Sequence, residues 1–338
     1  FLGISGIGLS ALAQYFKHKS AHVMGSCDKD SSVVEMLMKK EIEVTIGHDA
    51  MHITDNAADI GCVFYTVAIP EDNPELCAIK ELGLPHYTYA AGLGHISRTA
   101  ASNGGNTIAI AGSHGKTTTT AMIADIMIAA GMNPTVIVGS MLSEGRGNFI
   151  AGAPGDRCFI VEACEFKESF LELSPSISVI TNIDNDHLDY YKTMENLLGA
   201  FISFAKNTSR AIVTHPRLPY ISDLVSAMEG IPASAQIIDA DKQNVDFDIA
   251  IPGAHIIANA QCALAVADLI NVDLEIAKKS LSEFRGTWRR SQFKGKTKNG
   301  AEIYDDYAHH PTEIATTLKG FKERYADKKI TVLFQPHL

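Results

Sequence analysis

Residues Thr107 to Met127 read TIAIAGSHGKTTTTAMIADIM: an apolar run rich in β-branched residues, a short glycine loop, then a helical pattern. Glycines at 112 and 115 let a backbone curl until successive N–H groups face one anion, and the helix that follows adds the positive end of its dipole. Lys116 would neutralise β/γ-phosphate charge, and Thr117 would offer its hydroxyl to Mg²⁺. The loop is shorter than the usual G-x-x-x-x-G-K-[ST], because the first glycine of that pattern would fall on Ile110. An ordinary strand-to-helix turn leaves the four threonines Thr117–Thr120, poor helix formers, unexplained in the first turn. Nucleotide binding by Gly112, Ser113, His114, Gly115, Lys116, Thr117 and Thr118 is the expectation.

Three further polar clusters stand at the ends of strand-like runs. VEACEFKESF carries Glu162 and Glu165, and TNIDNDHLDYY carries Asn182, Asp184, Asp186, His187 and Asp189. Carboxylates and an imidazole beside the loop threonine make a hard-cation site, with Thr117, Glu162 and His187 as expected ligands. Alternatively, DNDHLD caps the helix MENLLGAF. IYDDYAHHPTE places Asp305, Asp306, His309 and His310 in a turn before a helix that starts at Pro311. These suit a ribose or phosphate contact, or a turn capped by Thr312. At the start of the chain, GISGIGLSALA sets Gly3, Gly6 and Gly8 between a strand and a helix, with Asp28 ending the next strand. A tight packing turn and a diphosphate site both fit this G-x-x-G-x-G pattern.

The elements that must position these residues alternate in the manner of βαβ units. FLGIS, AHVMGSCD and GCVFYTVAI read as strands, each followed by a helix, which predicts a parallel sheet. ASNGGN, Ala101–Asn106, reads as a linker. A second α/β section runs from TIAIAG through the strands RCFIVEAC, SISVITNI and RAIVTHP to the helices HIIANAQCALAVADLI and DLEIAKKSLSEF. In its first helix Met122, Ile123, Ile126 and Met127 predict one buried face. After FRGTWRRSQ come a hairpin with Asn-Gly at its turn, the helix TEIATTLKGFKERY and a strand KKITVLFQPH. The domains expected are 1–100, 101–284 and 285–338, the last incomplete. The chain begins inside a strand without Met and stops at VLFQPHL, so both ends are expected to be cut.

Composition narrows the partners. With 338 residues the chain is too long for a single core, and 46 % apolar content supports buried sheets. Its 39 acidic against 29 basic residues leave a net charge of −10 and no basic stripe, which argues against nucleic acid. The six cysteines lack C-x-x-C spacing, which predicts a reducing compartment and neither disulfides nor zinc. No apolar run would span a bilayer and no signal peptide opens the chain, so a cytoplasmic protein without a membrane partner is expected.

Taken in order, these clusters resemble the Mur ligases of peptidoglycan synthesis, through GISGIGLSALA, GSHGKTTTT, VEACEF…SFL, TNIDNDHLDYY, PGAHIIANAQCALAVA, FRGTWRR, DDYAHHPTEI and FQPH. The resemblance spans nearly the whole chain, and the shortened loop is that family's own variant. It implies an α/β fold of three domains: a Rossmann-like N-terminal domain, a central P-loop ATPase-type domain with a mostly parallel sheet, and an incomplete Rossmann-like C-terminal domain. It further implies an ATP- and Mg²⁺-dependent carboxylate–amine ligase acting on UDP-N-acetylmuramate and L-alanine, as a monomer or weak homodimer. Lys116, His187 and Glu162 would be catalytic. His255 and Asn259 would approach the adenine, Arg290 the phosphates and Asp306 the ribose. Ser5, Gly6, Ile7, Gly8, Asp28, Thr66, Ala68 and His309 would hold the sugar nucleotide, and His337 would face the amino acid. The chain departs from the family with Ile256 after His255, Thr88 and Tyr89 after LPHY, Ser5 in the first loop and Leu338 after His337. Neighbouring readings are a recycling ligase that attaches a whole peptide and a nucleotide-binding paralogue without turnover. A dehydrogenase built on GISGIG would leave Lys116 without a role.

Overall fold

The computed structural model of the chain describes residues 1–142, 145–153, 158–229 and 235–336. At the N-terminus, Met24–Cys27 pairs in parallel with Glu43–Ile46, and Val63–Tyr65 pairs in parallel with His86–Thr88. Leu2 bridges to both Ser26 and Tyr65, which joins the two pairs into one parallel array. The helices Ile7–His18, Ser32–Met38 and Pro74–Glu81 connect these strands. Two have local start signals: Ser31 accepts from the Val34 N–H, and Asn73 accepts from the N–H groups of Glu75 and Leu76 just ahead of Pro74.

The central sheet has seven strands, in the order Gln236–Asp239, Ala211–Thr214, Ile177–Ile180, Asn106–Ala111, Cys158–Glu162, Thr135–Ile137 and Phe149–Ile150. Every pairing is parallel except that of the last two. The period of two in TIAIA divides the core. Ile108 and Ile110 face the helices Lys116–Ala129, Ala254–Leu269 and Leu274–Glu283, whereas Ala109 and Ala111 face Phe170, Phe201 and Phe204 on the other side. Each fully buried large apolar side chain contributes about 1.5–3 kcal/mol. The three tips that the sequence marks as polar belong to the adjacent strands Ile177–Ile180, Asn106–Ala111 and Cys158–Glu162, and all point the same way. That adjacency builds the site.

Four details differ from the expectation. The helix Lys116–Ala129 is buried nearly all round, not on one face, because the helices Ala254–Leu269 and Leu274–Glu283 cover its outer side. The segment 101–106 is not a linker: Ala101 and Ser102 end a helix, Tyr89–Ser102, and Asn106 starts a strand. Thr193, which accepts from the Asn196 N–H, caps the helix Met194–Lys206, so the acids of DNDHLD are free of that duty. Lys328–Pro336 forms no strand: Ile330–Phe334 stand across a cavity from the strand Glu302–Asp305, which among the described residues pairs only with Gln292–Lys296. Ahead of it, the hairpin Gln292–Lys296/Glu302–Asp305 and the helix Pro311–Arg324 form as the sequence predicts.

Candidate functional site

The loop after Ala111 turns on two glycines with positive φ. At Gly112 (φ +131°) a Cβ would lie 2.1 Å from Thr181 Oγ1, and at Gly115 (φ +85°) 2.6 Å from Asn259 Oδ1. Only glycine permits both the conformation and the close approach. The neighbouring strand tip fastens the loop. Asn182 accepts from the His114 N–H at 3.0 Å and donates back to the His114 carbonyl at 3.0 Å, and Thr181 Oγ1 donates to the same carbonyl.

Lys116 folds over this turn. Its Nζ donates to the carbonyls of Gly112 (2.6 Å) and Ser113 (3.2 Å) and to Glu165 Oε1 (3.0 Å). Burial alone would lower the Lys116 pKa, but the surrounding negative charge, Glu165 first, outweighs it and holds the ammonium above its ordinary value. Glu165 is fully buried, and its Oε2 has no hydrogen-bond partner among the described residues. Thr117 Oγ1 donates to Glu162, 3.1 and 3.0 Å from the two oxygens, and the Gly139 N–H donates to Glu162 Oε2 at 2.8 Å. Thus a cation, a hydroxyl and two carboxylates converge at the loop.

A cavity of about 540 Å³ opens in front of them. The expected residues Ser113 to Thr118, Glu162, His255, Asn259, Arg290 and Asp306 all line it. The wall from Leu218 to Tyr220 is an apolar part that the sequence did not disclose, and Ile256, the residue that departs from the family after His255, joins it. Burial holds His255 below the ordinary histidine pKa, and its Nδ1 lacks a partner among the described residues. Asp306 is already engaged, accepting from the Ser291 N–H at 2.6 Å, the Ser291 hydroxyl and the Ala308 N–H.

The C-terminal segment closes one side through charge. His114 Nε2 lies 3.1 Å from Asp184 Oδ2 and His114 Nδ1 lies 3.3 Å from Glu313 Oε1. Arg290 meets the same Glu313 oxygen at 3.2 Å. Thr312 Oγ1 donates to Asp184 Oδ2, and His310 Nε2 donates to the Asn185 carbonyl. Burial opposes charge on both partners of the His114–Glu313 pair, yet each is held in its charged form. Glu313 and Asp184 keep His114 above the usual histidine value, while His114 and Arg290 bring Glu313 down to about 2. Glu313 was not singled out from the sequence; its only local signal is a first-turn acid after His310-Pro311. His310, rather than Thr312, caps that helix, accepting from the Thr312 N–H.

His187 is placed differently from the expected Thr117–Glu162–His187 set. Its Nε2 is 4.0 Å from Glu165 Oε1 and 3.7 Å from Asp186 Oδ2, its ring lies against Phe166, and it does not line the cavity. The short helix Leu188–Tyr191 begins directly after it and holds it with a left-handed backbone, so it turns toward Glu165. His309 also stays outside the cavity, with its N–H on Glu313 Oε2 and its ring nitrogen at the Tyr307 carbonyl. His337 lies outside the described residues.

The N-terminal loop forms a second polar edge. Ser5, Gly6, Ile7 and Gly8 lead into the helix Ile7–His18, whose Gly6 cap offers no side-chain bond. A Cβ on Gly8 would sit 2.8 Å from the Tyr89 ring, so the glycine pattern serves packing here as well. Thr66 Oγ1 accepts from the Ala68 N–H, and its methyl lies against Gly3. Asp28 approaches His48 Nε2 at 3.1 Å. Behind them Glu75, 1 % exposed, accepts from Ser26 Oγ at 2.6 Å and from the Nδ1 atoms of His48 (2.5 Å) and His52 (2.7 Å). This network escaped the sequence because its members come from three distant segments.

A third polar grouping is inert. Cys262 Sγ, His215 and Asp241 line up as a nucleophile and its base would, His215 Nδ1 being 2.6 Å from Asp241. However, the thiol is fully buried and its pKa is pushed up to about 12, so no thiolate is available.

Family models match along the chain: "Mur ligase family, catalytic domain" over residues 1–100, "Mur ligase middle domain" over 110–228 and "Mur ligase, glutamate ligase domain" over 289–337. A UDP-N-acetylmuramate–L-alanine ligase of Caldicellulosiruptor bescii is 39 % identical, with 100 % of this chain and 77 % of that protein covered. One from Clostridium kluyveri is 38 % identical over the same shares. Among solved structures, the UDP-N-acetylmuramate–alanine ligase MurC of Thermotoga maritima superposes with a TM-score of 0.82 at 29 % identity, covering 100 % of this chain and 80 % of that one. A murein peptide ligase from Psychrobacter arcticus, at 22 % identity and a TM-score of 0.77 over 97 % of this chain and 76 % of its own, shares the fold. With identity near two residues in five along its whole length, and with its lysine loop set between two acidic strand tips, this chain belongs to the Mur ligase family.

Proposed function

We propose that the chain is an ATP-dependent amide ligase that joins L-alanine to the carboxylate of UDP-N-acetylmuramate during peptidoglycan precursor synthesis in the cytoplasm. The relatives named for this reaction, 39 % and 38 % identical over the full chain, support it. Attachment of an intact peptide is not favoured, because the Psychrobacter arcticus peptide ligase is 22 % identical against 29 % for the Thermotoga maritima alanine ligase. No helix among the described residues is long and apolar enough to cross a membrane.

The observation that carries the mechanism is Lys116, held at the mouth of the loop beside Glu165 while the next residue, Thr117, is held on Glu162. The substrate carboxylate attacks the γ-phosphorus of ATP, ADP leaves, and the carboxylate becomes an acyl phosphate. Lys116 and the loop N–H groups spread the charge of the transferring phosphoryl group. The amine of L-alanine then attacks the acyl carbon, and phosphate departs to leave the amide. Water would hydrolyse the acyl phosphate, so the contacts of Glu313 and Thr312 with the loop and the Asp184 tip also keep the site dry.

A Mg²⁺ ion fits this donor set. Thr117 and Glu162 present only oxygens, and the unpartnered Glu165 Oε2 is a buried acceptor close by. Such an ion supplies charge neutralisation at phosphate oxygens. His187, beside Glu165, would then act from the Glu165 side. Within this reading Gly112 to Thr118, His255, Asn259, Arg290 and Asp306 hold ATP. Ser5 to Gly8, Asp28, Thr66 and Ala68 hold the sugar nucleotide, with the 1–100, 101–284 and 285–338 divisions as binding, ATP and closing domains. The test is phosphate release from ATP, which should require UDP-N-acetylmuramate and L-alanine together and fall away with serine, glycine or a tripeptide. Release with neither substrate, or none with both, would refute the assignment.

A further inference from the structure

We infer that His114, Asp184 and His310 form a binding site for a borderline divalent cation such as Zn²⁺ or Co²⁺, distinct from the oxygen-lined magnesium position and bridging the loop to the C-terminal segment. One ligand atom from each of the three lies within 4.8 Å of those from the other two. The three arrive from different elements: His114 from the loop itself, Asp184 from the tip after Ile177–Ile180, and His310 from the cap of the helix Pro311–Arg324. His114 Nε2 and Asp184 Oδ2 are already 3.1 Å apart. Two ligands bound at about 2.0–2.1 Å to one tetrahedral zinc stand about 3.3 Å apart. The His114 and His310 ring centroids lie 4.9 Å apart, and His310 joins the set by exchanging its bond to the Asn185 carbonyl for the ion.

The surroundings match such a centre. His114 turns its other nitrogen, Nδ1, to the Glu313 carboxylate at 3.3 Å. A carboxylate behind a ligating imidazole fixes its tautomer and raises its basicity, as is usual around protein-bound zinc. Arg290, on the same Glu313 oxygen, holds that carboxylate in place. The donor set of two nitrogens and one oxygen favours zinc, cobalt or nickel over magnesium, whereas Thr117 and Glu162 present oxygen alone. On binding, the ion takes lone pairs from His114 Nε2, Asp184 Oδ2 and His310 Nε2, whose N–H bond to the Asn185 carbonyl breaks while Nδ1 keeps its cap on the Thr312 N–H. The protons of the two ligating nitrogens leave to solvent, and water completes the tetrahedron. The loop and the helix Pro311–Arg324 are thereby tied together. On the ligase reading above, such an ion holds the closing segment down and slows product release.

The test uses the tag-free full chain and Co²⁺ as a coloured probe, without nucleotide. Titration should give one equivalent of intense visible bands typical of tetrahedral cobalt, and these should survive excess Mg²⁺. His310→Ala should weaken Co²⁺ binding at least ten-fold, and Glu313→Gln should weaken it measurably, with circular dichroism confirming that both variants are folded. His187→Ala removes the second group among the described residues that could hold a metal, Glu165–Asp186–His187, and should leave the bands unchanged. Bands that persist in His310→Ala, disappear in His187→Ala or Mg²⁺, or never form would overturn the site. None of these readouts depends on turnover, so the ligase reading stands or falls separately.

Discussion

Lys116 Nζ meets Glu165 Oε1 at 3.0 Å although the two side chains start from different strand tips, and neither is exposed enough for water to replace the other. The pair therefore couples the loop to the acidic edge before any nucleotide arrives, and it sets what a truncation does. Lys116→Ala should cut turnover by about 10²–10³-fold or more, since a preorganised charge at the transferring group is lost. It should also lower the melting temperature, because a buried carboxylate left without its cation costs about 3–5 kcal/mol. Pairing it with Glu165→Gln should restore most of the stability and none of the turnover. Calorimetry should show UDP-N-acetylmuramate affinity unchanged, because its proposed residues lie at the other polar edge. Joint loss of sugar-nucleotide affinity and turnover would sink that separation.

The three polar tips were legible because each signal is local: a glycine loop after a β-branched run, and acids directly after apolar strands. What joins tips to one another is not local. Nothing around His48, His52 or Glu75 announces that they meet, and Glu313 looks like any first-turn acid until the loop histidine is seen against it. The helix Tyr89–Ser102 was missed for a related reason. It holds Gly92 and Gly94, weak helix formers, and a Cβ at 92 would lie 2.6 Å from Leu12 Cδ2 and one at 94 would lie 2.4 Å from the Glu172 carbonyl. Those glycines are close-packing points whose partners lie far away in sequence. Lys328–Pro336 shows the converse: a good strand composition makes no strand where the neighbouring Glu302–Asp305 pairs only with Gln292–Lys296 among the described residues.

The separate positions of Glu162 and His187 lead to different metal dependences. Glu162 touches Thr117 and lines the cavity, so Glu162→Gln should raise the Mg²⁺ concentration for half-maximal activity steeply, about ten-fold or more. His187 sits against Glu165, Asp186 and Phe166, so His187→Ala should raise it by a smaller factor. Magnesium titrations of initial rate measure both. An unchanged requirement in His187→Ala would assign that ring to packing alone, and a larger shift than in Glu162→Gln would return it to the direct ligand set.

The contact of His114 with Glu313 gives the closing segment a pH window. Glu313 has its folded pKa brought down to about 2, so its share of stability is fully present above the ordinary value near ~4.3 and is lost as pH falls toward 2. His114 shifts the other way. Its contribution is full below ~6.5 and is lost as pH rises through its raised folded value. Both act together only between about pH 4.3 and 6.5. The melting-temperature gap between the native chain and Glu313→Gln should therefore peak in that interval and shrink toward alkaline pH. A remainder should persist there, because Arg290 still meets Glu313 once the imidazole is neutral. Differential scanning calorimetry from pH 4 to 9 reads this directly. A gap that stays constant across the range would show that His114 carries no linked proton, and one that grows with pH would reverse the sign of the argument.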